Sequence, residues 1–126
     1  MAIHEDVIVI GGGLAGSIAA LEAVDGDASV RLITHKKSTL RHASGLIDVL
    51  GYLDEEEPVA DPFAAISELP DDHPYSIAGA AAIRDGLARF DAAVGDSYQG
   101  SHTDSNALLP TFGGAVKPTA RYPDAA

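Results

Sequence analysis

The chain has 126 residues, and eight Lys and Arg against 19 Asp and Glu leave a formal charge of −11. That length suits one domain, and 46% hydrophobic residues with a mean hydropathy of +0.08 supply a core, which excludes wholesale disorder. A pI near 4.5 without a basic patch excludes nucleic acid as a partner, and the absence of Cys excludes disulfides, thiolate zinc sites, iron–sulfur ligation and cysteine nucleophiles within this chain. The acidic excess fits either a salt-adapted host or an ordinary acidic, soluble surface. The N-terminus has no basic stretch, and no apolar run approaches the ~20 residues that span a bilayer. The chain therefore reads as cytoplasmic, with no direct membrane span.

Asp6-Val7-Ile8-Val9-Ile10 is an apolar, β-branched run of the kind buried on both faces of a parallel sheet, and it is expected to be a central first strand. Gly11 to Gly16 follows at once. Ser17 to Val24 then places Ile18, Leu21 and either Ala20 or Val24 on one helical face, and Asp25-Gly26-Asp27 ends that helix. Ser29 to Thr34 reads as a second strand, completing a β-α-β unit with an expected right-handed crossover.

His35 to Ser44 is polar and without periodicity, so it is expected to be a loop over the carboxyl edge of the sheet, where open α/β folds bind ligands. From Ser44 to Tyr52, the dense apolar residues Leu46, Ile47, Val49 and Leu50 predict a short buried helix. Asp54-Glu55-Glu56-Glu57-Pro58 reads as a solvated acidic turn without chemistry. Pro62 to Leu69 predicts one or two helical turns ended by Pro70. Ile77 to Val94 predicts an Ala-rich helix with Ile83, Leu87, Phe90 and Val94 on one side, and His73-Pro74-Tyr75 starts it. Ala107 to Thr111 and Ala115 to Thr119 read as two short edge strands around a Gly turn, after which the chain stops with no further βα unit, so the sheet reads as incomplete.

The specific chemical signal is Gly11-x-Gly13-x-x-Gly16, directly after a strand and opening a helix. Gly11 permits the tight turn, Gly13 lets backbone amides approach a phosphate, and Gly16 allows close packing of helix on strand. The same fingerprint expects an acid at the end of the second strand to receive the adenosine ribose, but Thr34-His35-Lys36 stands there. Either other groups such as Thr34 hold the ribose, or the cofactor is not a standard NAD or FAD bound in the usual way. Lys36 and Lys37 then read as phosphate partners or as surface charge. The histidines at 4, 35, 42, 73 and 102 have no ligand spacing, so no metal is expected. His42 is a candidate for tuning a cofactor from the loop, or else a surface histidine.

The stretch Val7 to Gly16, Thr34, Ser38 through Leu50 with its Ser-Gly-x-x-Asp-x-Leu pattern, and His73-Pro74-Tyr75-Ser76 together resemble the B-type subunit of anaerobic glycerol-3-phosphate dehydrogenase. The resemblance runs through most of the chain but covers about the first third of a typical member. It implies a Rossmann-like FAD/NAD(P)-binding α/β domain over residues 1–126 with a βαβ N-terminus, and FMN or FAD as cofactor. It implies as partners a catalytic flavoprotein subunit and an iron–sulfur subunit, which would hold the chain peripheral to the cytoplasmic membrane. The family reaction oxidises sn-glycerol 3-phosphate to dihydroxyacetone phosphate and passes electrons to a quinone. Residue by residue, the resemblance carries over Gly11, Gly12, Gly13, Leu14, Ala15 and Gly16 as a phosphate cradle, and Thr34, His35, Lys36, Ser38, Ser44 and Gly45 as flavin-contacting loop positions. FMN would account for the absent acid, having no adenosine ribose. No catalytic residue is assigned, and the chain alone is expected to be inactive. The alternatives are a non-catalytic nucleotide-binding fragment and a nicotinamide-dependent oxidoreductase.

Overall fold

The computed structural model describes residues 4–36, 38–54 and 56–125; Lys37 and Glu55, singled out above, lie outside them. The chain divides into two compact units, Met1–Ser44 and Gly45–Ala126.

In the first unit, β1 (Val7–Ile10) and β2 (Val30–Ile33) form a parallel pair, joined by helix α1 (Leu14–Asp25). The register runs from Val7 opposite Val30 to Ile10 opposite Ile33, and the Gly11 amide donates to the Ile33 carbonyl at 2.8 Å, carrying the ladder one residue further. Helix α1 ends as the sequence predicts: the Gly26 amide donates to the Glu22 carbonyl at 3.1 Å, and Asp27 takes a left-handed φ of 62°. Before β2, Ser29 is tied to Asp6 by its amide and its hydroxyl.

The expectation of a first strand buried on both faces does not hold in this unit. Val7 and Val9 are half-buried, but Ile8 is 58% and Ile10 84% exposed. Successive side chains of a strand point to opposite faces, and within this unit α1 packs on the β1–β2 pair from the Val7 and Val9 side, so the Ile8 and Ile10 face is left open. The predicted apolar face of α1 is likewise only partly covered, with Ile18 and Ala20 half-buried and Leu21 and Val24 exposed.

The second unit contains α2 (Pro62–Ala65), α3 (Pro74–Val94), β3 (Tyr98–Gln99), β4 (Ala107–Pro110), β5 (Val116–Thr119) and β6 (Tyr122–Pro123). Its core is Leu50, Phe63, Ala65, Ile66 and Leu87, with Ile47, Val49, Val59, Leu69, Tyr75 and Ile83 packed around it. Full burial of each large side chain contributes about 1.5–3 kcal/mol. The Arg84 guanidinium lies 3.9 Å over the Phe63 ring, a cation–π contact that seals one side.

The short helix predicted over residues 44–52 is not formed. This segment runs extended and bridges to the C-terminal strands: the Ile47 amide donates to the Arg121 carbonyl at 2.8 Å, and the Ile47 carbonyl accepts from the Ala120 and Arg121 amides and the Thr119 hydroxyl. The amide and carbonyl of Ile47 are taken by these distant partners and so are not available for i→i−4 bonding. Leu50 still reaches the core. Asn106 holds the neighbouring strand-like stretches together, its Nδ2 donating to the carbonyls of Leu50 and Val59 at 2.9 Å each.

The turns over residues 62–69 form as predicted, as α2 followed by a 3-10 turn over Ile66–Glu68. Asp61 caps α2 by accepting from the Phe63 and Ala64 amides. The long helix begins three residues earlier than its apolar periodicity suggests, at Pro74, because His73 caps it: Nδ1 accepts from the Tyr75 amide at 3.0 Å. It is also kinked at Gly79, whose φ of 82° and ψ of 150° only glycine adopts without strain. β4 and β5 form the predicted antiparallel hairpin, closed by the Thr111 amide donating to the Ala115 carbonyl at 2.7 Å. β3 pairs with β6, and the Phe90 and Tyr98 rings meet edge to face at 4.9 Å.

Candidate functional site

The junction of β1 and α1 is built by three glycines with different duties. Gly11 turns the chain out of the strand at φ 115°. Gly16 sits in the first turn of α1 directly against that turn: a Cβ there would overlap the Gly11 carbonyl oxygen and press on the Val9 side chain. Gly13 is the N-cap of α1 at φ −79° and ψ −174°, and a Cβ there would meet nothing within 4 Å. The helix and strand are thus drawn together at Gly16, while the mouth of the loop at Gly13 stays open.

Helix α1 has no side-chain cap and no acid in its first turn. Its leading amides, including those of Leu14 and Ala15, face that opening without a side-chain acceptor, with the positive end of the helix dipole behind them. By contrast, α2 and α3 are capped by Asp61 and His73. The residues present fit a dinucleotide pyrophosphate: the site offers backbone donors, an open approach, and a close strand–helix contact that only glycine at position 16 allows.

Thr34 follows β2 and lies against this loop, since a Cβ on Gly12 would come within 3.2 Å of the Thr34 Cβ and Oγ1. The Thr34 hydroxyl donates to the Lys36 carbonyl at 3.1 Å, folding the chain back on itself through His35. The expected open loop then contains a 3-10 turn over Thr39–His42, capped by the Ser38 hydroxyl accepting from the Leu40 amide at 3.1 Å. Gly12 and Thr34 are therefore brought together, and His35, Lys36, Ser38 and Ser44 follow in the same unit. His42 is exposed on the 3-10 turn. Gly45 opens the second unit at φ 84°, its Cα facing the Pro123 ring and the Tyr98 hydroxyl.

Sequence reasoning passed over Arg41, an exposed cation on the same 3-10 turn. Its signal was available: no Asp or Glu occurs from Ala28 to Ile47. The overall charge of −11 masks this local reversal. An open apolar hollow of about 370 Å³ lies along α1 and β2, lined by Ser17, Ala20, Leu21, Val24, Val30 and Leu32, and shares no residue with the glycine loop. Among the described residues no cluster of His, Asp and Glu could hold a metal, and no helix is long and apolar enough to cross a membrane.

Comparison with known proteins finds relatives named as anaerobic glycerol-3-phosphate dehydrogenase subunits. The chain is 59% identical over 127 aligned positions, its whole length, to a Halobacterium salinarum protein named as a probable B-type subunit of anaerobic glycerol-3-phosphate dehydrogenase, of which it covers 30%. It is 41% identical over 103 residues, 79% of this chain and 24% of the relative, to the anaerobic glycerol-3-phosphate dehydrogenase B-type subunit of Vibrio cholerae. The corresponding protein of Pectobacterium carotovorum is 33% identical over 107 residues, 77% of this chain and 26% of the relative. The chain thus spans under a third of the length of these relatives. No solved structure matches it. The halophilic side of the acidic composition accords with the Halobacterium match. The FAD binding domain family matches residues 6–126, a span that begins at β1 and contains the glycine loop, and the chain belongs to that family.

Proposed function

We propose that the chain is the flavin-binding portion of an oxidoreductase subunit of the anaerobic glycerol-3-phosphate dehydrogenase type, holding FAD on the loop Gly11–Gly16. The observation that carries this reading is the contact of Gly16 with the Gly11 carbonyl, which sets the uncapped end of α1 beside the carboxyl end of β1. Leading amides of α1 donate to the pyrophosphate, and Gly13 leaves room for it. Thr34, which lies against Gly12, and His35, Lys36, Ser38 and Ser44 of the same unit are the further proposed flavin contacts, and Gly45 is carried as one by the family resemblance alone. FAD is the cofactor that the family match supports, and when bound it supplies the two-electron acceptor.

In this reading residues 1–126 belong to one Rossmann-like flavin domain whose sheet is incomplete, as the open Ile8 and Ile10 face supports. The whole protein oxidises sn-glycerol 3-phosphate to dihydroxyacetone phosphate and delivers electrons to a quinone, working with a catalytic flavoprotein subunit and an iron–sulfur subunit. The names of the relatives support the substrate. The assembly is cytoplasmic, or peripheral to the cytoplasmic membrane through its partners.

The test is purification at high salt followed by a visible absorption spectrum and identification of the flavin released on denaturation. A flavin spectrum with FAD in the extract supports the reading. A colourless protein that stays colourless after incubation with FAD refutes it.

A further inference from the structure

The pattern Gly11-x-Gly13-x-x-Gly16 leaves position 12 open to any residue, yet a glycine stands there too. Its missing side chain is the space into which Thr34 fits: a Cβ on Gly12 would lie 3.2 Å from both the Cβ and the Oγ1 of Thr34. The Thr34 hydroxyl thus sits just past the end of β2, directly against the glycine loop, on a residue that is exposed.

In dinucleotide folds a carboxylate at this place accepts from the adenosine ribose hydroxyls. The first unit has no carboxylate to offer there. Its five acids are Glu5 and Asp6, before β1, and Glu22, Asp25 and Asp27, in the last turn of α1 or just beyond it. In a β-α-β unit those ends lie away from the loop between β1 and α1, and from Ala28 to Ile47 no acid occurs.

A free hydroxyl both donates and accepts. That of Thr34 has its proton committed: it donates to the Lys36 carbonyl at 3.1 Å, and because a carbonyl only accepts, the direction of this bond is fixed. What remains on Oγ1 is acceptor capacity. The side chain therefore has the hydrogen-bonding polarity of the carboxylate it replaces, without the charge.

We infer that Thr34 Oγ1 is the acceptor for an adenosine ribose hydroxyl of the bound dinucleotide, a neutral hydrogen bond in place of the usual charged one. The inference deepens the reading of Gly11–Gly16 as an FAD cradle and rests on it. A contact without net charge is not weakened by ionic screening, so this hold on the ribose persists in concentrated salt.

The experiment titrates the full chain with ADP, 2′-deoxy-ADP and 3′-deoxy-ADP, each as a competitor of FAD, in the parent, Thr34→Val and Thr34→Ser. Valine keeps the shape and removes the hydroxyl, whereas serine keeps the hydroxyl. One of the two deoxynucleotides should bind the parent about three- to tenfold more weakly than ADP, the effect of one neutral hydrogen bond. That ratio should persist in Thr34→Ser and as salt rises, and should fall to unity in Thr34→Val. A loop merely loosened by the substitution would weaken all three nucleotides alike and leave the ratio in place. Equal affinity of ADP and both deoxynucleotides in a chain that holds FAD, or a ratio that survives in Thr34→Val, overturns this inference alone. Failure of the parent to bind FAD and ADP overturns the cradle reading and this inference with it.

Discussion

Arg121 grips Asp91 with two parallel hydrogen bonds, Nε to Oδ1 at 2.8 Å and Nη2 to Oδ2 at 2.9 Å, while its Nη1 donates to the carbonyls of Gly100 and Ala120. The guanidinium is buried, and its fork ties α3 to the segment joining β5 and β6. Removing the carboxylate leaves a buried charge without its partner. Asp91→Ala should therefore cost roughly 3–5 kcal/mol in urea unfolding, while Arg121→Met, which removes the charge itself, should cost less. Because the pair is shielded from solvent, the loss should persist in concentrated salt. An Asp91→Ala chain as stable as the parent would show that this pair does not hold the second unit together.

The glycine loop separates folding from binding at neighbouring positions. Gly16→Ala drives a methyl group into the Gly11 carbonyl, and overpacking of this kind costs about 1–3 kcal/mol. The expected outcome is a lower melting temperature for the first unit together with lost flavin. A Gly16→Ala protein that melts with the parent would mean the strand and helix are not in close contact there.

Asp6 receives hydrogen bonds from the Ser29 amide and hydroxyl at 2.9 and 2.8 Å, and these hold its carboxyl below the usual carboxylate range. A group whose pKa is depressed on folding stabilises the fold above its unfolded value and loses that contribution as pH falls through the folded one. Asp6→Asn should therefore lower stability at neutral pH, and the difference from the parent should close in the acid range below about pH 4. A difference independent of pH would show that the ionised carboxylate contributes nothing.

His73 caps α3 through its Nδ1. His73→Ala should cost about 1 kcal/mol, and His73→Asn, which restores an acceptor, should recover most of it. Equal melting of all three proteins would show that this cap does not stabilise the helix.

The β-α-β unit was legible because its signals are local: a β-branched run, a glycine turn and an apolar helix period lie within residues 6–34. The helix wrongly expected around Ile47 failed for the opposite reason, since the partners of the Ile47 backbone are Thr119, Ala120 and Arg121, far along the chain. Nothing in the sequence near Asp91 announces Arg121 as its partner. Exposure of Ile8 and Ile10 was also unreadable, because residue type reports what a strand could bury, whereas cover depends on neighbouring elements. At the candidate site the glycines were legible from spacing, and the contact of Thr34 with Gly12 needed the fold.

Flavin retention by Gly13→Val, compared with the parent at high salt, tests the cradle most directly. Gly13 has extended backbone angles that a β-branched residue accepts, and no neighbour lies within 4 Å of its Cβ. Valine there should leave the melting temperature close to that of the apo parent while its methyl groups fill the space a phosphate would occupy. The expected result is a folded Gly13→Val chain that has lost FAD. Retention of FAD equal to the parent, in a protein that melts with it, would contradict the assignment of Gly11–Gly16 as the cofactor cradle.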